Sequence, residues 1–210
     1  MPPKNNYLKI DVIFLAFIVI ASFLLLVYTA IKTPGYKSHK TNFVAMDTFF
    51  EITVYVKKRP LQTEAQSIQD VFQECIVKVK EIETWGNTFD PSSEISQVNK
   101  KASQKEVEIN PDFFQVLKYA KKFGHKTNGV FDITVQPLSN FYKDKNNRGK
   151  PLPRNIRKQV NYENILLNEE KNTVYLKNKA QITLGGILKG YAVDEVIKIL
   201  KKNKIEKALV

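Results

Sequence analysis

Gln181-Ile182-Thr183-Leu184-Gly185-Gly186-Ile187-Leu188-Lys189-Gly190-Tyr191-Ala192-Val193-Asp194 is the stretch on which the fold assignment turns. Gln181 to Leu184 reads as a short strand. Gly185-Gly186 then opens a helix through about Lys202, with Ile187, Tyr191, Val196, Ile197 and Leu200 facing inward at helical spacing. Strand, glycine pair and helix start in immediate succession suit an anion: the glycines let backbone N–H groups approach it, and the helix N-terminus adds partial positive charge. Lys189 would add a full charge. A tight turn is the plainer reading of the same pair, and the spacing fits neither a P-loop nor a dinucleotide fingerprint.

Strands and helices alternate irregularly on either side. Ile165-Leu166-Leu167 and Val174-Tyr175-Leu176 flank Asn168-Glu169-Glu170-Lys171-Asn172 and predict a hairpin. Residues 142–155 are polar with two prolines and predict a long loop. Asn110-Pro111 is an N-cap followed by a first-turn proline, and opens a helix whose apolar face is Phe113, Phe114, Leu117, Ala120 and Phe123, ending near Asn128-Gly129. Ile68, Val71, Phe72, Cys75, Ile76, Val79 and Ile82 predict an amphipathic helix over 62–84, followed by a loop from Gly86 to Ser93. Phe43 to Val56 predicts one or two strands, and Ala208-Leu209-Val210 the start of a buried strand. The class is α+β, a mixed sheet with packed helices.

The N-terminus is different. Val12 to Ile31 is 20 residues without a charge. As a helix it rises about 30 Å, the thickness of a bilayer's hydrocarbon core. The run is longer than a usual signal-peptide core, and Val27-Tyr28-Thr29-Ala30 is a poor cleavage site, so an uncleaved transmembrane anchor is favoured over a cleaved signal. The expected organisation is a tail over 1–11, an anchor over 12–31, a linker over 32–41 that starts at Thr33-Pro34-Gly35, and a folded region over 42–210. That places the protein in the cell membrane as a single-pass chain, its folded region on the outer side.

Composition narrows the function. The 210 residues allow one domain plus a short extra segment, and 26% charged with 43% hydrophobic residues excludes collagen-like and wholly disordered chains. A net charge of +12 suggests an anionic partner. Cys75 is the only cysteine, which excludes an intrachain disulfide and a Cys-rich zinc site. His39 and His125 are far apart, and no Ser-His-Asp set is visible. The basic residues are mostly scattered lysines with only four arginines, which argues against nucleic acid.

Three further segments could carry chemistry. Gly129-Val130-Phe131-Asp132-Ile133-Thr134-Val135-Gln136-Pro137-Leu138 leaves a helix end and can present backbone amides and one carboxylate, or Asp132 can simply cap a nearby amide. Trp85-Gly86-Asn87-Thr88-Phe89-Asp90, running on through Ser93-Glu94-Ile95-Ser96 to Asn99, places two aromatics where they can stack on a planar ring or tuck into the core. Met46-Asp47-Thr48 precedes a strand, and Met46 can pack on a flat ligand or in the core.

In this order and register over residues 46–194, the four segments resemble the ApbE family, the FAD:protein FMN transferases. The resemblance implies transfer of the FMN half of FAD to a Thr or Ser hydroxyl of an acceptor flavoprotein, with Mg²⁺. It implies FAD contacts at Met46, Phe89, Val130, Phe131, Asp132, Thr183 and Lys189, and a metal contact at the carbonyl of Gly186; it points to no catalytic residue. This sequence has Asp47 where the family usually has Gly, Thr183 where it has Asp, and Leu188 where it has a small residue. The resemblance covers the N-terminal half of the family domain, so one wall of a dinucleotide pocket is expected here. A flavin-binding remnant without catalysis and a basic, membrane-anchored module for anionic polymers are the other readings.

Overall fold

The structure, a computed structural model, describes residues 7–32, 35–57 and 68–210. Its elements run α1 (Tyr7–Lys32), β1 (Tyr36–Ala45), β2 (Thr48–Lys57), α2 (Ile68–Gly86), α3 (Glu94–Lys101), β3 (Val107–Glu108), α4 (Pro111–Lys126), α5 (Gln136–Lys143), α6 (Arg154–Gln159), β4 (Ile165–Asn168), β5 (Thr173–Leu176), α7 (Leu188–Lys202) and β6 (Lys207–Leu209). Two small antiparallel sheets form, in the orders β1-β2-β6 and β3-β5-β4.

Alternation along β2 sets the first layer. Phe50, Ile52 and Val54 are buried, while Phe49 and Tyr55 face out. The buried residues share one core with α2, which the hairpin meets through β1 and whose Val71, Phe72, Cys75, Val79 and Ile82 form the stripe read from the sequence. α2 packs on α7. At their junction Trp85 stacks on Phe113 of α4 at 5.3 Å and meets Tyr191 of α7 edge-on at 6.4 Å. Asn110 caps α4 by accepting the Phe113 N–H at 2.8 Å, and the Glu94 carboxylate in turn accepts the Asn110 backbone N–H at 3.1 Å and its side-chain amide. That links the start of α3 to the start of α4.

Several expectations change. The one or two strands expected over 43–56 are two, the hairpin β1–β2 turning at Met46-Asp47 with φ of 51° and 56°, but β1 begins at Tyr36 within the expected linker. Of the helix predicted over 62–84, residues 62–67 lie outside the described residues, as do Thr33 and Pro34; the helix continues to Gly86. Gln181–Leu184 is not a ladder strand. Gln181 makes one isolated bridge, to Val135, and the backbone of Ile182 is taken by a side chain instead. β6 pairs with β2 but is exposed rather than buried. The long loop over 142–155 is interrupted by the end of α5, a 3-10 turn over Lys145–Asn147 and the start of α6.

The transmembrane helix expected over 12–31 is also corrected. Among the described residues no helix is long and apolar enough to cross a membrane. The single-pass location in the cell membrane, the outer-side placement and the membrane as a partner lose their support with it.

Candidate functional site

Where the β1–β2 turn, the end of α2, the face of α5 and the start of α7 meet, they enclose a cleft of about 800 Å³. That lies within the usual range for small-molecule and cofactor sites. Met46, Phe89, Thr183 and Lys189 all line it. Val130, Phe131, Asp132 and Gly186 do not. Val130 is 90% exposed. Phe131 meets Phe123 edge-on at 6.1 Å, and its ring sits against Gly186, where an added Cβ would lie 3.3 Å from Cε2. The Asp132 carboxylate accepts the Thr134 N–H at 2.8 Å and the Thr134 hydroxyl at 2.7 Å, closing a local turn.

Each lining residue is held by its own element. Met46 sits in a turn of type I′ geometry, and its N–H donates to Glu83 Oε1 of α2 at 2.5 Å; Glu83 also pairs with Lys80 at 3.0 Å. Phe89, 76% exposed, projects from the α2–α3 loop, its N–H donating to Asn87 Oδ1 at 2.9 Å. The loop is fixed further on: Ser93 Oγ donates to the Asn87 carbonyl at 2.6 Å, and Asp90 Oδ1 accepts the Ser92 hydroxyl at 2.7 Å and N–H at 2.8 Å. Those bonds, the hydroxyl first, lower the Asp90 carboxyl below its ordinary value. Lys143 Nζ of α5 stands 5.6 Å from the centroid of the Phe89 ring.

The segment before α7 is tied down at consecutive residues. Asn99 Oδ1 accepts the Ile182 N–H at 2.7 Å, and Asn99 Nδ2 donates to the Ile182 carbonyl at 2.9 Å. The Thr183 N–H donates to the Ile133 carbonyl at 2.8 Å. The Ile187 and Leu188 N–H groups both reach the Leu184 carbonyl at 2.9 Å, which closes the glycine turn. α7 begins without a side-chain cap, so its N-terminal dipole meets no capping group, and exposed Lys189 lies in its first turn.

The sequence reading missed one wall. Gln136, Ser139, Asn140 and Lys143 of α5 line the cleft, recurring at three- and four-residue spacing along one helix face. That polar stripe was the available signal, with Pro137 in the first turn marking the helix start. Glu83 and Lys100 were missed as well.

The residues do not fit a magnesium site. Mg²⁺ requires near-octahedral oxygen ligation. Among the described residues no group of three or more His, Cys, Asp or Glu side chains could hold a metal ion. Beside the glycine turn stand the Thr183 hydroxyl, 3.8 Å from where a Cβ on Gly185 would lie, and the Phe131 ring. The metal binding that the resemblance implied is not supported by these residues.

Comparison with known proteins gives a consistent pattern. A family model described as the ApbE family matches residues 46–210. The FAD:protein FMN transferase of Haemophilus influenzae is 28% identical over 134 residues, 59% of this chain and 39% of that protein. The FAD:protein FMN transferase of Buchnera aphidicola is 26% identical over 203 residues, 91% of this chain and 57% of that protein. The chain thus spans roughly two to three fifths of the length of these relatives. Among solved structures, the flavin transferase ApbE of Vibrio cholerae shares the fold with a TM-score of 0.69 at 22% identity, over 83% of this chain and 56% of that one.

Proposed function

The chain belongs to the ApbE family, and from that premise we propose that its cleft binds FAD and presents it for transfer of FMN to a Thr or Ser hydroxyl of an acceptor protein. The observation that carries this reading is the convergence of Met46, Phe89, Thr183 and Lys189, drawn from three separated sequence segments, on one cleft of about 800 Å³. Phe131 and Asp132 act indirectly: Phe131 backs Gly186 of the glycine turn, and Asp132 closes a turn beside Ile133, whose carbonyl accepts the Thr183 N–H; Val130 and Gly186 lie outside the cleft lining.

Each wall has a task that follows from its chemistry. The open face of Phe89 and the Met46 thioether suit a planar ring system. The glycine amides, the uncapped start of α7 and Lys189 suit a diphosphate. Lys100 and Lys143 add two more cations to the same cleft. In the transfer itself the acceptor oxygen forms a bond to the FMN phosphorus. The P–O bond to the AMP half breaks, AMP leaves with the electron pair, and the hydroxyl proton passes to solvent. The chain's part in that step is to hold the diphosphate and orient the flavin half.

Titration of the protein into FAD, read by flavin fluorescence, tests the binding. A saturable change is expected, weakened roughly three- to tenfold by Phe89→Ala, the worth of one aromatic stack. Lys189→Gln should weaken it too, and more at low salt than at high. The absence of any saturable change would overturn the reading. Incubation with FAD and an acceptor protein, followed by denaturing electrophoresis, tests the transfer: covalent flavin fluorescence on the acceptor is expected, and its absence overturns the transfer.

A further inference from the structure

We propose that the basic segment running from the cleft rim through α6 is the docking surface for an acidic stretch of the acceptor protein. The proposal rests on the functional reading above, since it names the partner of the same cleft. Lys143, Lys145, Arg148, Lys150, Arg154, Arg157 and Lys158 put seven cations into 16 residues whose only carboxylate is Asp144. They include three of the four arginines in the chain. All seven are exposed, and among the described residues none takes part in a salt bridge. Asp144 is engaged locally, accepting the Asn146 N–H at 2.9 Å.

Position decides what such a patch serves. α5 packs against α6 and the 3-10 turn over Lys145–Asn147, so the segment is one continuous surface. It begins at Lys143, which lines the cleft. A second 3-10 turn packs on α6 and adds exposed Lys177 and Lys179. The turn that follows α6, at Tyr162–Asn164, carries one carboxylate, Glu163. Elsewhere on the molecule several cations are matched: Lys40 pairs with Glu51, Lys57 with Glu206, Lys78 with Asp112, Lys118 with Glu169 and Lys202 with Glu74; the unpaired lysines there, such as Lys101, Lys105, Lys122 and Lys126, do not border the cleft. A cationic rim left unmatched beside the cleft attracts a polyanion, and a protein presenting a hydroxyl to bound FAD must pass that rim. Complementary charge there sets orientation and association rate.

The test uses fluorescein-labelled poly-glutamate as the acidic polypeptide, read by anisotropy on the full chain. One variant replaces Lys145, Arg148, Arg154 and Arg157 by Gln and leaves Lys143 intact. A control replaces Lys101, Lys105, Lys122 and Lys126 by Gln, removing the same net charge from exposed sites elsewhere. Saturable binding that weakens with salt is expected, with at least roughly tenfold loss in the first variant and less than about threefold in the control. Equal losses in the two variants would overturn the proposal, as would no binding by the native chain. So would a single-stranded DNA oligonucleotide of equal charge that binds the patch more tightly than poly-glutamate. FAD titration of the same samples separates the two readings: if FAD does not bind, the functional reading fails; if FAD binds and poly-glutamate does not, only the docking surface does.

Discussion

Asn99 holds the part of the chain on which the site is built, and its removal gives the sharpest test of that role. Its side-chain amide meets both backbone groups of Ile182, at 2.7 and 2.9 Å, across 83 residues of sequence. Ile182 is fully buried. Asn99→Ala leaves a buried N–H and a buried carbonyl without partners. Each costs about 1–3 kcal/mol, so the variant should lose about 2–6 kcal/mol. For a chain of this size that lowers Tm by roughly 4–24 °C. Chemical denaturation followed by circular dichroism measures the loss. FAD affinity should fall as well, because Thr183 and the glycine turn lose their anchor.

Asn99→Asp adds a pH signature that a cavity cannot mimic. The introduced carboxylate still accepts the Ile182 N–H but faces the Ile182 carbonyl with no proton to donate. Burial and that carbonyl raise its folded-state pKa above the ordinary value of about 3.9. The folded state therefore takes up a proton at a higher pH than the unfolded one does, and the stability deficit relative to the native chain shrinks as pH falls through the raised pKa. A deficit that stays constant from about pH 7 to pH 4, or an Asn99→Ala cost below about 0.5 kcal/mol, refutes the reasoning.

Other perturbations probe the remaining walls. Gly86 lies where α2 ends against α7, and a Cβ there would fall 2.4 Å from Leu188 Cδ2. Gly86→Ala should destabilise by about 1–2 kcal/mol, overpacking outweighing the gain in helix propensity; Leu188→Ala in the same background should show favourable coupling, and simple additivity of the two losses would exclude the clash. Asp47 has φ of 56° and places a carboxylate in the cleft. Asp47→Gly should leave stability within about 1 kcal/mol, relief of the left-handed strain offsetting glycine's entropy, and tighten FAD binding at low salt; unchanged or weaker binding would count against a diphosphate in that cleft. Burial pushes the Cys75 thiol up to about 11. The folded pKa is the raised one, so this contribution to stability is intact below the unfolded value near 9 and is lost as pH rises from there through about 11; Cys75→Ala should flatten that alkaline decline, and thiol labelling near pH 8 should proceed only as fast as the protein opens.

Periodicity made the frame legible. Val71, Phe72, Cys75, Val79 and Ile82 on α2, and Phe113, Phe114, Leu117 and Ala120 on α4, announce their buried faces because a helix that covers a core must repeat apolar residues every three or four positions. α5 was invisible to the same search. Pro137 is its only buried residue, and its repeating face is polar because it borders a cleft rather than a core. Gln181–Leu184 misled for another reason. The composition is that of a strand, but a ladder needs backbone partners, and here Asn99 and Ile133 take those bonds from distant parts of the chain. Spacing along the chain carries no signal for a partner 83 residues away.

The site residues divide on the same line. Met46, Phe89, Thr183 and Lys189 line the cleft, whereas Asp132 spends its carboxylate on the Thr134 N–H and hydroxyl. That turn points the neighbouring Ile133 carbonyl at the Thr183 N–H, and Phe131 backs Gly186. Phe131, Asp132 and Ile133 thus act on the cleft indirectly, by shaping the Thr183–Gly186 turn, while Gln136 of the same segment lines the cleft. Asn99 and Ile133 hold Ile182 and Thr183 from distant parts of the chain, and the Leu184 carbonyl closes the turn onto the Ile187 and Leu188 N–H groups. An anion site made of backbone amides has no side chain whose rotamer can correct an error of position, so its accuracy depends on such tethers.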